Sequence, residues 1–249
     1  MNKQGKGKIE WCDYTWNPVT GCLHSCPYCY AAKIYKRFKK SFEPTFHPEK
    51  LSELGKVKTP QKIFVGSTTD LFGEWVPDEW IKDVVEACKK ASQHKYIFLT
   101  KNPAGYRKAM SIIFGNKFWL GTTINTQKDI ERHSVNIMNT PGNLFLSVEP
   151  IHGWIDLTKI ETPDGNGFWN ALTGDVFVPF TMLKRNKISW VIIGAETGPG
   201  AKAPPFTWAY SIIEQCRAAN VPVFLKSNLC TAIQIKGIEI IQEWPELLK

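Results

Sequence analysis

Three cysteines within eight residues, Cys22, Cys26 and Cys29, are the part of this 249-residue sequence best equipped for chemistry. They lie in Gly21-Cys22-Leu23-His24-Ser25-Cys26-Pro27-Tyr28-Cys29-Tyr30 and are spaced C-x3-C-x2-C. Cysteine thiolates are soft donors suited to zinc or to iron–sulfur clusters. Three on one short loop can hold three irons of a four-iron cluster and leave the fourth to a non-protein ligand. A catalytic cluster needs that open corner, whereas a structural site closes every position. Two alternatives stand beside this one: a zinc site completed by His24 or another histidine, and chance clustering. Zinc loops usually set C-x2-C against a distant second pair, and the other cysteines (Cys12, Cys88, Cys216 and Cys230) are isolated. Cys88 and Cys216 fall in expected helices and are expected in the core.

Seven cysteines are an odd number, concentrated in one loop, which is not the pattern of a disulfide scaffold. No run of about 18 apolar residues offers a membrane span. The leading MNKQGKGKIEW is basic but lacks the apolar stretch of a secretory signal, so a cytoplasmic protein is expected. Net charge is +8, from 31 basic and 23 acidic residues, and suits a polyanionic partner such as nucleic acid.

The elements that must position the cysteines read as short apolar runs, nearly continuous as in parallel strands buried on both faces. They are 62–66, 96–99, 118–121, 144–148, 190–194 and 221–225, with an earlier strand over 14–20 just before the cysteines. Helical periodicity fills 77–92, 126–138 and 207–219, and Asn220 suits a C-terminal stop. This alternation implies an α/β fold, a partial (β/α) barrel of six to seven units with parallel strands. A single domain over 1–249 is expected, with an insertion at 150–187 that carries the turn signals PDGNG and LTGD and a β-hairpin around 167–178.

Polar residues gather where these strands end, and in a parallel barrel the strand C-termini form the active-site face. They include Ser67, Thr68, Thr69 and Asp70; Thr100, Lys101 and Asn102; Thr122, Thr123 and Asn125; Ser147 and Glu149; Glu196 and Thr197; and Lys226, Ser227 and Asn228. Loops are polar in any protein, but hydroxyls, amides, acids and lysines recur here at nearly every strand end.

The cysteine spacing, with the aromatic Tyr28 just before the last thiol, resembles that of radical S-adenosylmethionine enzymes. Further segments (IEWCDYTWNPVTGC, IFVGSTTDLFGEWVPDEWI, FLTKNP, WLGTTINTQ, FLSVEP and WVIIGAETGPGA) are similar to a phage- and prophage-associated family of that type, of uncharacterised function. The similarity runs over roughly residues 9–228. Cys12 stands where that family usually has Thr and is not counted as a ligand. The resemblance implies that Cys22, Cys26 and Cys29 ligate a [4Fe–4S] cluster and that S-adenosylmethionine chelates its open iron. Cleavage of the S–C5′ bond would then give a 5′-deoxyadenosyl radical, with the electron drawn from a separate donor. His24 and Ser25 would shape the cluster turn.

The resemblance also implies where the cofactor is held. Such enzymes bind the methionyl amine after the second strand, often with Gly-Gly-Glu; here the segment is Ser67-Thr68-Thr69-Asp70, with Asp70 as the acid or, alternatively, as a turn cap. Ribose hydroxyls point to Thr122, Thr123, Asn125, Ser147 and Glu149, and Gly194 and Glu196 belong to a turn that can approach the adenine or methionine. Lys101 and Lys226 are candidates for a substrate phosphate or carboxylate, or are simply strand-end lysines. The expected helix Lys33–Lys40 brings Lys36, Arg37, Lys39 and Lys40 beside the cysteines, as a phosphate-binding face or a solvated one. Trp75, Trp119, Trp154 and Trp169 are stacking surfaces for a base or, as tryptophans more often are, core or rim packing, and a nucleic-acid base or nucleoside is the expected substrate. A small metabolite or peptide substrate is the competing expectation, and a non-catalytic, metal-bearing nucleic-acid-binding module is a third.

Overall fold

A computed structural model describes residues 1–5, 7–113, 115–162, 164–198, 200–232 and 241–249. Pro163 of the PDGNG signal and Pro199 of the GPG segment lie outside the described residues. The fold is mixed α/β with a large, mostly parallel sheet, and the chain divides into two compact units, Met1–Leu120 and Gly121–Lys249.

In the first unit β1 (Asn2–Lys3) pairs antiparallel with β2 (Tyr14–Trp16). The single strand expected over 14–20 is interrupted: β3 (Val19–Thr20) leaves the sheet and pairs with β4 (Thr45–Phe46). Pro18 interrupts the ladder, because it has no N–H to donate. Between β3 and β4 lie the cysteine loop and helix α1 (Tyr30–Arg37). A 3-10 stretch over Pro48–Lys56 leads to β5 (Lys62–Val65), which is parallel to β2 and to β6 (Lys95–Thr100). Ile63, Phe64, Val65, Tyr96, Ile97 and Phe98 are all buried, as their continuous apolar character requires. The connecting helix α2 (Asp78–Lys90) turns Ile81, Val84, Val85 and Cys88 inward at helical spacing.

The unit boundary falls within β7 (Phe118–Ile124). The second unit continues with α3 (Gln127–Asn139) and β8 (Asn143–Val148). It then builds a four-stranded antiparallel sheet from β9 (Ile160–Glu161), β10 (Phe168–Trp169), β11 (Asp175–Val178) and β12 (Thr181–Lys184), in the order β12-β11-β10-β9. The expected hairpin is the β10–β11 pair of this sheet. Parallel pairing resumes with β13 (Ile188–Ile193) between β8 and β14 (Val223–Leu225), with α4 (Phe206–Ala218) connecting β13 to β14 and α5 (Ser227–Ala232) following. Among the described residues no sheet closes on itself.

Candidate metal and cofactor site

The cysteine loop is anchored at both ends by backbone geometry. Gly21 has φ +84° and forms a parallel β-bridge with Thr69; a Cβ there would stand 2.2 Å from the carbonyl oxygen of Glu43. Only glycine meets both demands. The Gly21 N–H donates to the Thr68 carbonyl (3.1 Å), and the Thr69 hydroxyl donates to the Gly21 carbonyl (2.6 Å). At the far end, Cys29 caps α1, and its Sγ accepts the N–H of Ala32 at 3.4 Å. A helix N-terminus favours negative charge, which suits a thiolate there.

All three cysteines are free and half-buried. Burial pushes the Cys22 thiol up to about 11, with the nearby Asp70 charge acting the same way and hydrogen bonding from the His24 backbone acting against it. Among the described residues no group of three or more His, Cys, Asp or Glu side chains is arranged to hold a metal ion. The donor set is nonetheless of the right chemistry for an iron–sulfur cluster: three soft sulfurs on one loop, one of them already receiving a backbone N–H.

Asp70, at the end of the β5 segment, is the hub of this unit. It is 5% exposed, and its carboxylate meets four partners. Oδ1 accepts from the Thr100 hydroxyl (2.7 Å) and the Phe72 N–H (3.1 Å); Oδ2 accepts from the Lys101 N–H (2.8 Å) and lies 2.7 Å from His24 Nε2. The bond to Phe72 is the turn cap weighed above as the alternative to amine binding. The His24 ring also packs edge-on to Trp75, with centroids 4.7 Å apart. Lys101 Nζ donates to the Tyr28 hydroxyl (2.6 Å) and lies 5.2 Å from the ring centroid, beyond the hydroxyl end of the ring. Five sequence candidates thus meet in one cluster: Tyr28, Thr69, Asp70, Lys101 and the cysteine loop itself.

Ser67 exchanges hydrogen bonds with Asn17, and its carbonyl accepts from the Tyr30 hydroxyl. The Thr68 hydroxyl and the Trp75 indole nitrogen are buried and have no hydrogen-bond partner among the described residues. Asn17 and the His24–Asp70 contact were not foreseen. A lone Asn before a proline carries no signal of its own, and 46 residues separate His24 from Asp70.

The basic helix is shorter than its composition suggests. α1 ends at Arg37, Lys39 has a left-handed φ of +53°, and Lys39 and Lys40 lie beyond the helix. Lys36, Arg37, Lys39 and Lys40 are all exposed. Trp119 and Trp169 are fully buried, which removes them as stacking surfaces, while Trp154 is exposed.

In the second unit the strand ends of β8, β13 and β14 converge. Lys226 Nζ forms an ion pair with Glu149 Oε1. A Cβ on Gly194 would come within 2.8–2.9 Å of the Glu149 side chain, so the absence of a side chain at 194 makes room for that carboxylate. Asn125 Nδ2 donates to the Pro150 carbonyl (2.6 Å), Asn228 Nδ2 to the Ala195 carbonyl (2.8 Å), and His152 Nε2 lies 3.8 Å from Glu196 Oε2. Thr122 and Ser147 are buried, and Thr123 is half-buried.

These features define an α/β protein with a three-cysteine loop anchored to the ends of parallel strands. The sequence model of the DUF5131 family, described as "Protein of unknown function", matches residues 6–231, and the chain belongs to that family. No curated protein matches it. Among solved structures it is similar to a Cys-to-Ser mutant of spore photoproduct lyase (17% identity, TM-score 0.45, covering 57% of this chain and 47% of that one). It is also similar to a Cys-to-Ala mutant of the same enzyme with dinucleoside spore photoproduct (16% identity, TM-score 0.39, covering 54% and 45%). The chain therefore matches about half the length of these structures.

Proposed function

We propose that this chain is a radical S-adenosylmethionine enzyme of the partial-barrel type that acts on a nucleic-acid base or nucleoside. The observation that carries the reading is the anchored loop: three free, half-buried cysteines held between the Gly21–Thr69 bridge and the N-terminus of α1. A cube of iron and sulfide spreads its protein ligands over separate corners, so the sulfurs need not converge on one point as they do around a single ion. When bound, the [4Fe–4S] cluster and S-adenosylmethionine supply reductive cleavage of the S–C5′ bond to a 5′-deoxyadenosyl radical, with an electron from an external donor.

The protein's own contribution is positional. Cys22, Cys26 and Cys29 are the ligands. The Asp70 carboxylate already has four partners, so we assign it to fixing His24 inside the loop and the Lys101 backbone, in place of binding the methionyl ammonium. The buried Thr68 hydroxyl, which has no partner among the described residues, is the polar atom of the 67–70 segment left for the cofactor. Tyr28, the residue before the last ligand, is held through its hydroxyl by Lys101. Lys36, Arg37, Lys39 and Lys40 are exposed cations close in sequence to the loop, and the net charge of +8 supports a phosphate-bearing substrate.

Oxygen-free reconstitution with iron and sulfide, followed by metal analysis and electron paramagnetic resonance, tests the cluster. Iron near four per chain, lost in the C22A/C26A/C29A variant, is expected. Reductant-dependent 5′-deoxyadenosine should accompany it, and zinc alone in the protected protein would overturn the reading.

A further inference from the structure

The antiparallel sheet of the second unit carries apolar side chains on both of its faces. Cross-strand register sets Trp169 opposite Val176 and Val176 opposite Leu183, and sets Phe168 opposite Phe177 and Phe177 opposite Met182. Trp169 and Val176 are buried, so their row faces inward, ending in Leu183 on the edge strand at 40% exposure, and strand alternation turns the second row outward. A sheet with one face in water usually carries polar residues there. Here the outward row runs from the exposed Glu161, opposite Phe168, through Phe168, Phe177 and Met182, the last three at 39, 48 and 56% exposure.

The tip of the β11–β12 hairpin goes further. Phe180 is fully exposed and has φ +69°. It follows Pro179, and a left-handed residue after proline is the type II turn pattern, whose natural occupant is Gly or Asn. A bulky aromatic there is strained and fully hydrated. Folding gains nothing visible from it.

Cations frame this surface. Lys159 Nζ lies 4.5 Å from the centroid of the Phe168 ring, and Lys184, Arg185 and Lys187 are exposed along and just beyond β12. The acids of the sheet are Glu161 opposite Phe168, Asp164 in the β9–β10 turn and Asp175, which is paired with Lys184 at 2.6 Å; from 176 to 187, the hairpin tip and the strand beyond it, there is none. Aromatic faces bordered by Lys and Arg match the chemistry of nucleic acid, in which bases stack and phosphates pair. A second copy of the chain fits less well: it would bring like charge against like, and a few apolar side chains fall far short of the roughly 20–30 residues per side of a stable interface.

We infer that the β11–β12 hairpin is a nucleic-acid contact, with Phe180 a wedge that stacks on or between bases and Phe168 and Phe177 a platform behind it. The inference shares with the proposed function only the polyanionic partner. No cysteine takes part, so failure of the cluster chemistry leaves it standing.

The test uses the full-length chain with a fluorescent single-stranded oligodeoxynucleotide and a duplex carrying 2-aminopurine. Binding should weaken steeply with salt, and 2-aminopurine emission should rise as bases unstack. Phe180→Ala should weaken single-strand binding about tenfold and abolish the emission change, with Phe180→Trp restoring both. The R185E/K187E variant should weaken binding and flatten the salt dependence. Wild-type affinity and emission in Phe180→Ala would overturn the inference, as would absence of binding by the wild type at low salt. Light scattering that showed a dimer dispersed by Phe180→Asp would assign the surface to self-association instead and equally overturn it.

Discussion

The imidazole of His24, between the first and second cysteines, is held at 2.7 Å by the carboxylate of Asp70, itself buried after the next strand of the sheet. This contact ties the middle of the cysteine loop to the sheet, while Gly21 and Cys29 tie its ends. A buried carboxylate that accepts several donors is stabilising only while its charge and geometry persist.

Asp70→Asn keeps the shape but replaces one accepting oxygen with a donor. The Thr100 hydroxyl, the Phe72 and Lys101 N–H groups and His24 cannot all then be satisfied. Urea titration should show a loss of about 2–3 kcal/mol, and iron retained after reconstitution should fall although all three cysteines remain. Wild-type values for both would assign Asp70 no positioning role.

Gly21→Ala introduces a Cβ at 2.2 Å from the Glu43 carbonyl oxygen in a residue with φ +84°. The neighbour is backbone and cannot step aside cheaply. The expected cost is about 2–4 kcal/mol, counting left-handed strain and the displaced chain together. A melting temperature unchanged from wild type would show that the loop tolerates movement.

In the second unit, Glu149 and Lys226 form a partly buried ion pair. Its strength should lie between the surface and interior limits, so Lys226→Met should cost about 1–3 kcal/mol. A double-mutant cycle with Glu149→Gln should give a coupling above about 1 kcal/mol. Gly194→Ala should disturb the same pair, because its Cβ meets the Glu149 carboxyl group. Additive effects of Lys226→Met and Glu149→Gln would mean that the pair is not coupled in solution.

Asp129 near the start of α3 gives a pH dependence. Burial works to raise its pKa, but the Asn125 N–H, the Thr126 hydroxyl and N–H, and Arg132 outweigh it and hold the carboxyl below the usual range. A carboxyl that is more acidic in the folded state stabilises above its unfolded value of about 3.9 and loses that contribution as pH falls through the folded value. Asp129→Ala should therefore destabilise at neutral pH by about 1 kcal/mol, and the difference from wild type should shrink below about pH 4. A difference constant down to pH 2 would refute the assignment.

Much of the secondary structure was legible because each buried strand is a local apolar run and each helix repeats on its own period. The runs at 62–66, 118–121, 144–148 and 190–194 appear as β5, β7, β8 and β13, and the helix expected over 77–92 appears as α2. The exceptions follow from backbone constraints. Pro18 divides the first strand, and the left-handed Lys39 comes just after the end of a helix that its lysines alone would have continued to residue 40. Which of the four tryptophans are buried was not legible either, since an aromatic residue serves equally well in a core or on a rim.

The sequence by itself determined the kind of chemistry on offer: three soft sulfur donors on one short loop, a basic surplus, and parallel strands ending in polar groups. Those are properties of residue type and local spacing. The tertiary structure alone decided which distant groups meet: His24 with Asp70, Tyr28 with Lys101, Glu149 with Lys226 beside a bare Gly194, and a row of phenylalanines facing solvent. Contacts across tens of residues depend on strand order and register, which no local pattern encodes.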